Sequence, residues 1–126
     1  MRYLIAGLFV GSIVTSGAAA VASWVPTAQD AVQQSPELYR VLLDNDEVRV
    51  LEYRLKPGEK EPLHAHPGGV VYGFNDSKIR VTSADGKATE SAGKAGDVFW
   101  RKSVTHALEN VGETDVHSLD VEIKRP

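Results

Sequence analysis

The stretch Gly58-Glu-Lys-Glu-Pro-Leu-His64-Ala-His66-Pro67-Gly68-Gly69 carries two histidines two residues apart. Alternate side chains of a strand share a face, so the two imidazoles stand side by side. They could then grip one ion at roughly 2.0–2.2 Å each. The third ligand is expected in the stretch from Gly96 to Asn110, at His106. Three neutral imidazoles leave a divalent ion its full double charge and open positions for water or substrate. The plainer alternative is a set of exposed histidines on polar strands, with the His-x-His spacing arising by chance.

Cysteine is absent, so disulfides and thiolate ligands are excluded, and a transition-metal site must be built from His, Asp and Glu. The ion expected at His64, His66 and His106 is a divalent transition metal: Fe, Mn, Ni, Cu or Zn. Intrinsic affinity at an imidazole-rich site favours copper or zinc.

Other side chains are weighed beside these three. His117 shares parity with Leu119, Val121 and Ile123, so it faces the interior if they do. It is then a fourth ligand or a pocket acid/base; otherwise it is a satisfied core residue or lies near the rim. The parity of Glu109 relative to His106 argues against its serving as a carboxylate ligand. Tyr53, Tyr72, Phe99, Trp100 and Arg101 are candidates for a pocket wall, and alternation lets only one of Phe99 and Trp100 point inward. Arg101 either meets a substrate anion or is a solvated strand-end charge. Lys56 and Glu59-Lys60-Glu61 read as a solvated loop.

The elements that must position these residues are short. The 126 residues allow one domain with one modest core. Composition is that of a globular protein, 42% hydrophobic and 25% charged, with a formal charge of −3. No basic run or basic helix face is present, which argues against a nucleic-acid partner.

Arg2 followed by an apolar run to Val14 and then by Ala, Gly and Ser has the form of a signal peptide over residues 1–22, cleaved before Ser23. Cleavage after Ala18-Ala19-Ala20 is a second option. An uncleaved anchor is the competing reading, since no charge intervenes between Arg2 and Asp30, but the second half of the run is only weakly lipophilic. Either way the domain is expected outside the cytoplasm, periplasmic or secreted, with no stable membrane association once the leader is removed. Residues 23–37, with Pro26 and Pro36 and little periodicity, read as an N-terminal arm with at most one helical turn. The arm lies across a sheet edge, reaches a partner subunit, or is a mobile linker.

From residue 38 to 126 turn signals recur every eight to twelve residues, as in sandwiches and barrels. Arg49, Leu51, Tyr53 and Leu55 alternate onto one face of a strand. Asp85-Gly86 marks a tight hairpin. Eight to ten short strands, with no helix of normal length, predict an all-β barrel or jelly roll with a pocket between its sheets.

The segment from about Leu38 to Lys124 resembles a single-domain cupin. Gly58, His64 and His66 match the first cupin motif, with Val71 at the position of its glutamate and Lys78 at its last glycine. Gly96, His106 and Asn110 match the second, with Lys102 in place of proline and a loop one residue shorter. The resemblance implies a cupin-type double-stranded β-helix and, with the anionic ligand missing, a site like that of the three-histidine cupins, which include thiol and diketone-cleaving dioxygenases. Such a centre favours an anionic, bidentate small-molecule ligand. The alternative is that replacement of the glutamate marks a cupin that binds metal poorly or not at all. The resemblance also implies a homodimer. The functions left open are a dioxygenase or isomerase, a non-catalytic module binding a small ligand or metal, and an interaction domain with vestigial histidines.

Overall fold

The computed structural model describes residues 29–124; the expected leader and the first part of the arm lie outside the described residues. One helical turn, α1 (Ala31–Gln34), and a 3-10 turn (Pro36–Leu38) lead into nine strands. These are β1 (Tyr39–Asp44), β2 (Val48–Leu55), β3 (Lys60–His66), β4 (Gly69–Gly73), β5 (Ser77–Ser83), β6 (Ala88–Gly93), β7 (Val98–Arg101), β8 (Val104–Asn110) and β9 (Val116–Ile123). They form a five-stranded sheet, β1-β2-β9-β4-β7, facing a four-stranded sheet, β3-β8-β5-β6. All strand pairs are antiparallel.

Local chemistry sets the turns. Asn45 Oδ1 accepts from the Glu47 and Val48 N–H groups (2.8 and 2.9 Å), closing the β1–β2 hairpin. The two motif glycines, Gly58 and Gly96, stand at φ +81° and +87°, a left-handed conformation that a Cβ disfavours. They turn the chain immediately before β3 and before β7.

The pleat of β2 is as the alternation predicts: Arg49, Leu51, Tyr53 and Leu55 are buried. Leu51, Tyr53 and Leu55 join Tyr39 and Ala31 in the apolar core, with Val32, Leu38, Leu108 and Val116 packed against it. Ala31 places the segment before β1 inside the barrel's packing.

The parity of β9 is the reverse of the one that would bring His117 inside. Ser118, Asp120 and Glu122 are the buried residues, while Leu119, Val121 and Ile123 lie on the outer face. Register explains it: Asp120 lies opposite Leu51, and Glu122 opposite Arg49. The inward carboxylates find buried partners, and the outward apolar residues line up across the sheet with Val50, Val70 and Tyr72.

Candidate metal centre

The histidines converge because β3 carries a bulge. Its pairing with β8 runs Lys60↔Glu109 and Glu61↔Leu108, then resumes at His64↔His106, with one extra residue on β3. Pro62, which has no N–H to give a ladder, sits in the bulge. Strict alternation would put Glu61 and His64 on opposite faces. With the bulge both point inward, and Leu63 is turned out to solvent. Glu61, expected in a solvated loop, is therefore 1% exposed.

His64 and His106 stand directly opposite on neighbouring strands, and His66 lies two residues further along. Ring centroids are 4.7 Å (His64–His106), 4.8 Å (His64–His66) and 5.6 Å (His66–His106) apart. One ligand nitrogen from each ring lies within 4.8 Å of the others. Burial lowers all three pKa values, those of His66 and His106 to about 3. Arg101 adds to the effect at His66, and the neighbouring imidazoles at His106. At neutral pH the rings are uncharged and each has a lone pair to give.

Hydrogen bonds decide which nitrogen carries it. The Nδ1–H of His64 donates to the Pro62 carbonyl (2.8 Å) and that of His66 to Glu122 Oε1 (2.8 Å). A carbonyl only accepts, so the lone pair of His64 must be on Nε2. Nε2 of His64 and of His106 are buried with no hydrogen-bond partner among the described residues. Buried imidazole nitrogens without a partner are costly unless an electrophile takes their lone pairs. A divalent transition-metal ion fits these donors. Bound there, it would supply Lewis acidity and open coordination positions.

The surroundings are built in depth. Glu122 Oε2 accepts from Arg49 Nε (2.7 Å) and contacts its Nη2 (2.6 Å), and Arg49 also grips the Asp30 carboxylate (2.6 and 3.1 Å). Glu61 accepts from the hydroxyls of Tyr39 (2.7 Å) and Tyr53 (2.8 Å) and stands 3.4 Å from His64 Nδ1. Burial raises the Glu61 pKa to about 7, against the lowering effect of the two phenols. A cavity of about 530 Å³ opens beside His66 and His106, walled by Val71, Phe99, Arg101 and Asp120.

Arg101 faces inward. Its Nη1 donates to Asp120 Oδ2 (2.8 Å), and Nη2 lies 4.0 Å from Glu122 Oε1. Of the aromatic pair, Phe99 lines the cavity, while Trp100 is across from Val70 on the outer face. Val71, at the motif glutamate's position, is buried opposite Asp120. That aspartate also accepts from Ser118 Oγ (2.8 Å) and stands outside the three-histidine cluster. Glu109 is bonded to Arg80 (2.8 Å), and Asn110 ties the chain down through Leu55, Gly112 and Thr114.

His117 is separate from the centre. It meets Glu52 (3.1 Å), Arg54 (3.4 Å) and the Phe74 ring (4.5 Å between centroids) on the outer side of β9. His117→Gln is expected to leave metal content unchanged, measured by elemental mass spectrometry; a loss of the ion would put His117 among the ligands.

The assembly of two antiparallel sheets around this cavity is a cupin-type double-stranded β-helix. Its interior holds a three-histidine cluster compatible with one metal ion. Solved structures agree on the fold. A cupin domain from Bordetella pertussis Tohama I is similar at 27% identity over 69% of this chain and 92% of that one, with a TM-score of 0.63. A double-stranded β-helix protein from Klebsiella pneumoniae matches at 21% over 68% and 75%, with a TM-score of 0.56. A polyketide cyclase from Streptomyces resistomycificus matches at 19% over 69% and 64%, with a TM-score of 0.52. No family model and no curated protein sequence matches the chain.

Proposed function

We propose that this protein is an exported metal-binding cupin, a dioxygenase or isomerase that acts on a small anionic or chelating metabolite at a three-histidine centre. The observation that carries the reading is the convergence of buried, unpartnered Nε2 atoms of His64 and His106 beside His66. With Val71 where a carboxylate ligand would be, the centre would keep the ion's positive charge and favour an enolate, carboxylate or thiolate. Arg101 on the cavity wall adds to the attraction for an anion. The leader-like residues 1–22 support export to the periplasm or medium. The proposed homodimer would cover the outer face of the five-stranded sheet, where Tyr72, Val98 and Trp100 are exposed.

A second reading, a non-catalytic module binding a small ligand or metal, draws on the carboxylates nearby. Each is already engaged, Glu61 by Tyr39 and Tyr53 and Asp120 by Arg101 and Ser118, so neither is poised as a base.

Elemental mass spectrometry on protein recovered from its native compartment tests the centre, beside a variant carrying His64→Ala and His106→Ala. Close to one ion per chain is expected, lost in the variant; equal content in both would reject the site. Oxygen uptake or turnover with enolates, carboxylates and thiols then separates enzyme from binding module. Sedimentation of the same sample reads the dimer.

A further inference from the structure

We propose that the segment Gln29 to Ser35, ahead of the barrel, is a positioning part of the metal centre. It sets the affinity of the three histidines for their ion, and the bound ion in turn holds the segment down. The inference rests on the reading of the triad as a metal site.

Two independent contacts carry it. The first is on the backbone of the ligand strand. β3 is at the edge of its sheet, paired with β8 on one side only. On its other side the Gln29 carbonyl accepts from the N–H of Ala65 (2.6 Å), and Asp30 pairs in parallel with the same residue. Ala65 lies between His64 and His66. The contact therefore fixes the edge strand at the point where both imidazoles leave it.

The second is a relay of buried charges. Asp30 binds Arg49, Arg49 binds Glu122, and Glu122 accepts from His66 Nδ1–H. The four are 3%, 4%, 0% and 3% exposed. The carboxylate behind a ligating imidazole fixes its ring orientation and raises its basicity, and loss of such a partner typically weakens metal binding about 10–100-fold. Asp30 acts one residue further back, by fixing the guanidinium that holds Glu122. Arg49 and Glu122 are on paired strands in the middle of a sheet, whereas Asp30 is on a segment of one helical turn. Beyond these contacts the segment buries Ala31 and Ser35 and packs Val32 against the core. Of the relay's members, the segment is the one that can release without opening the barrel.

If docking of the segment tightens the ion, linkage requires the ion to tighten docking by the same factor. The experiment measures both directions on the mature chain with Zn(II) as the probe. Zinc affinity is determined by chelator competition for the wild type and for Asp30→Asn, which keeps the side chain's shape. Hydrogen exchange of the Gln34 and Ser35 amides, which bond within the segment to the Asp30 and Ala31 carbonyls (2.9 Å each), is followed with and without zinc. The β6 amides serve as a reference for global stabilisation.

The expected result is about tenfold weaker zinc binding in Asp30→Asn. Zinc also slows exchange at Gln34 and Ser35 in the wild type by about the same factor, with little change in β6. His106→Ala should abolish the slowing. The wild-type exchange arm needs no variant, so it stands even if Asp30→Asn folds poorly. A purely structural Asp30 would lower the melting temperature and leave zinc affinity unchanged. That result, or slowing equal to that in β6, overturns the coupling while leaving the triad intact. A wild type that binds no zinc or other divalent ion overturns the triad and the coupling together.

Discussion

Replacing Arg49 with methionine is expected to destabilise the barrel by about 3–5 kcal/mol, the range for removing one partner from a buried ionic group. Arg49 is the counter-charge for two carboxylates at once, Asp30 and Glu122, at contacts as short as 2.6 Å. Methionine fills much of the volume but leaves the buried Asp30 without its cation and Glu122 with only the more distant Arg101, 4.0 Å from Oε1. Burial already raises the Glu122 pKa and Arg49 opposes that rise, so in the variant the carboxyl should bind a proton more readily still. The sign follows. A folded-state pKa above the unfolded value gives stability that is fully present below the unfolded value and lost as pH rises. The deficit of Arg49→Met relative to the wild type should therefore shrink as pH is lowered toward about 4.5. Urea unfolding of metal-free protein at pH 7 and pH 5 measures it. A loss under about 1 kcal/mol at both pH values would mean that Arg49 is not the counter-charge on which these buried acids depend.

How much of this could be read from the sequence depended on whether a side chain's partners are near it along the chain. The His-x-His pair and the Arg49–Leu55 alternation were legible because a strand's pleat is a local rule. The motif glycines Gly58 and Gly96 were legible because their conformation is local too. Glu61 was misplaced because a one-residue bulge at Pro62-Leu63 reverses the parity of everything before His64. The proline inside a strand was the available signal for it.

The parity of β9 was hidden for a different reason. Its apolar residues belong to an outer face that stays partly exposed, and its buried face is polar: Ser118, Asp120, Glu122. Hydrophobic alternation points the wrong way whenever the interior is a site instead of a core. The partners that make those carboxylates tolerable, Arg49 and Arg101, lie 73 residues from Glu122 and 19 from Asp120 in sequence. Asp30, in a stretch with no periodicity, gave no sign that it belonged to the histidines' surroundings. The missing motif glutamate was legible at Val71, a position that lines the cavity.

The metal-free protein is expected to lose stability as pH is lowered from about 7 to 5. His66 and His106 have folded-state pKa values of about 3, mainly through burial, against an ordinary value of 6.5. A depressed folded-state value gives stability that is present above the unfolded pKa and lost as pH falls toward the folded one. At pH 5 the unfolded chain has taken up both protons and the folded chain neither, which costs about 2 kcal/mol for each histidine. His64, also lowered, adds in the same sense. Glu61 works against them. Burial holds its pKa at about 7, above the usual 4.5, so its contribution grows as pH falls through that interval. Over the same span it returns roughly 2 kcal/mol. The wild type should therefore show a muted acid loss, and Glu61→Gln a loss about 2 kcal/mol larger between pH 7 and pH 5, because one of the opposing carboxyls is then gone. Glu122, also raised by burial, still opposes the imidazoles. Urea unfolding of metal-free protein at half-unit pH steps reads both curves. Parallel curves would show that Glu61 is ionised throughout. A Glu61→Gln curve that gains stability as pH falls would show that the imidazoles take up protons in the folded state, and the neutral triad on which metal binding depends would have to be given up.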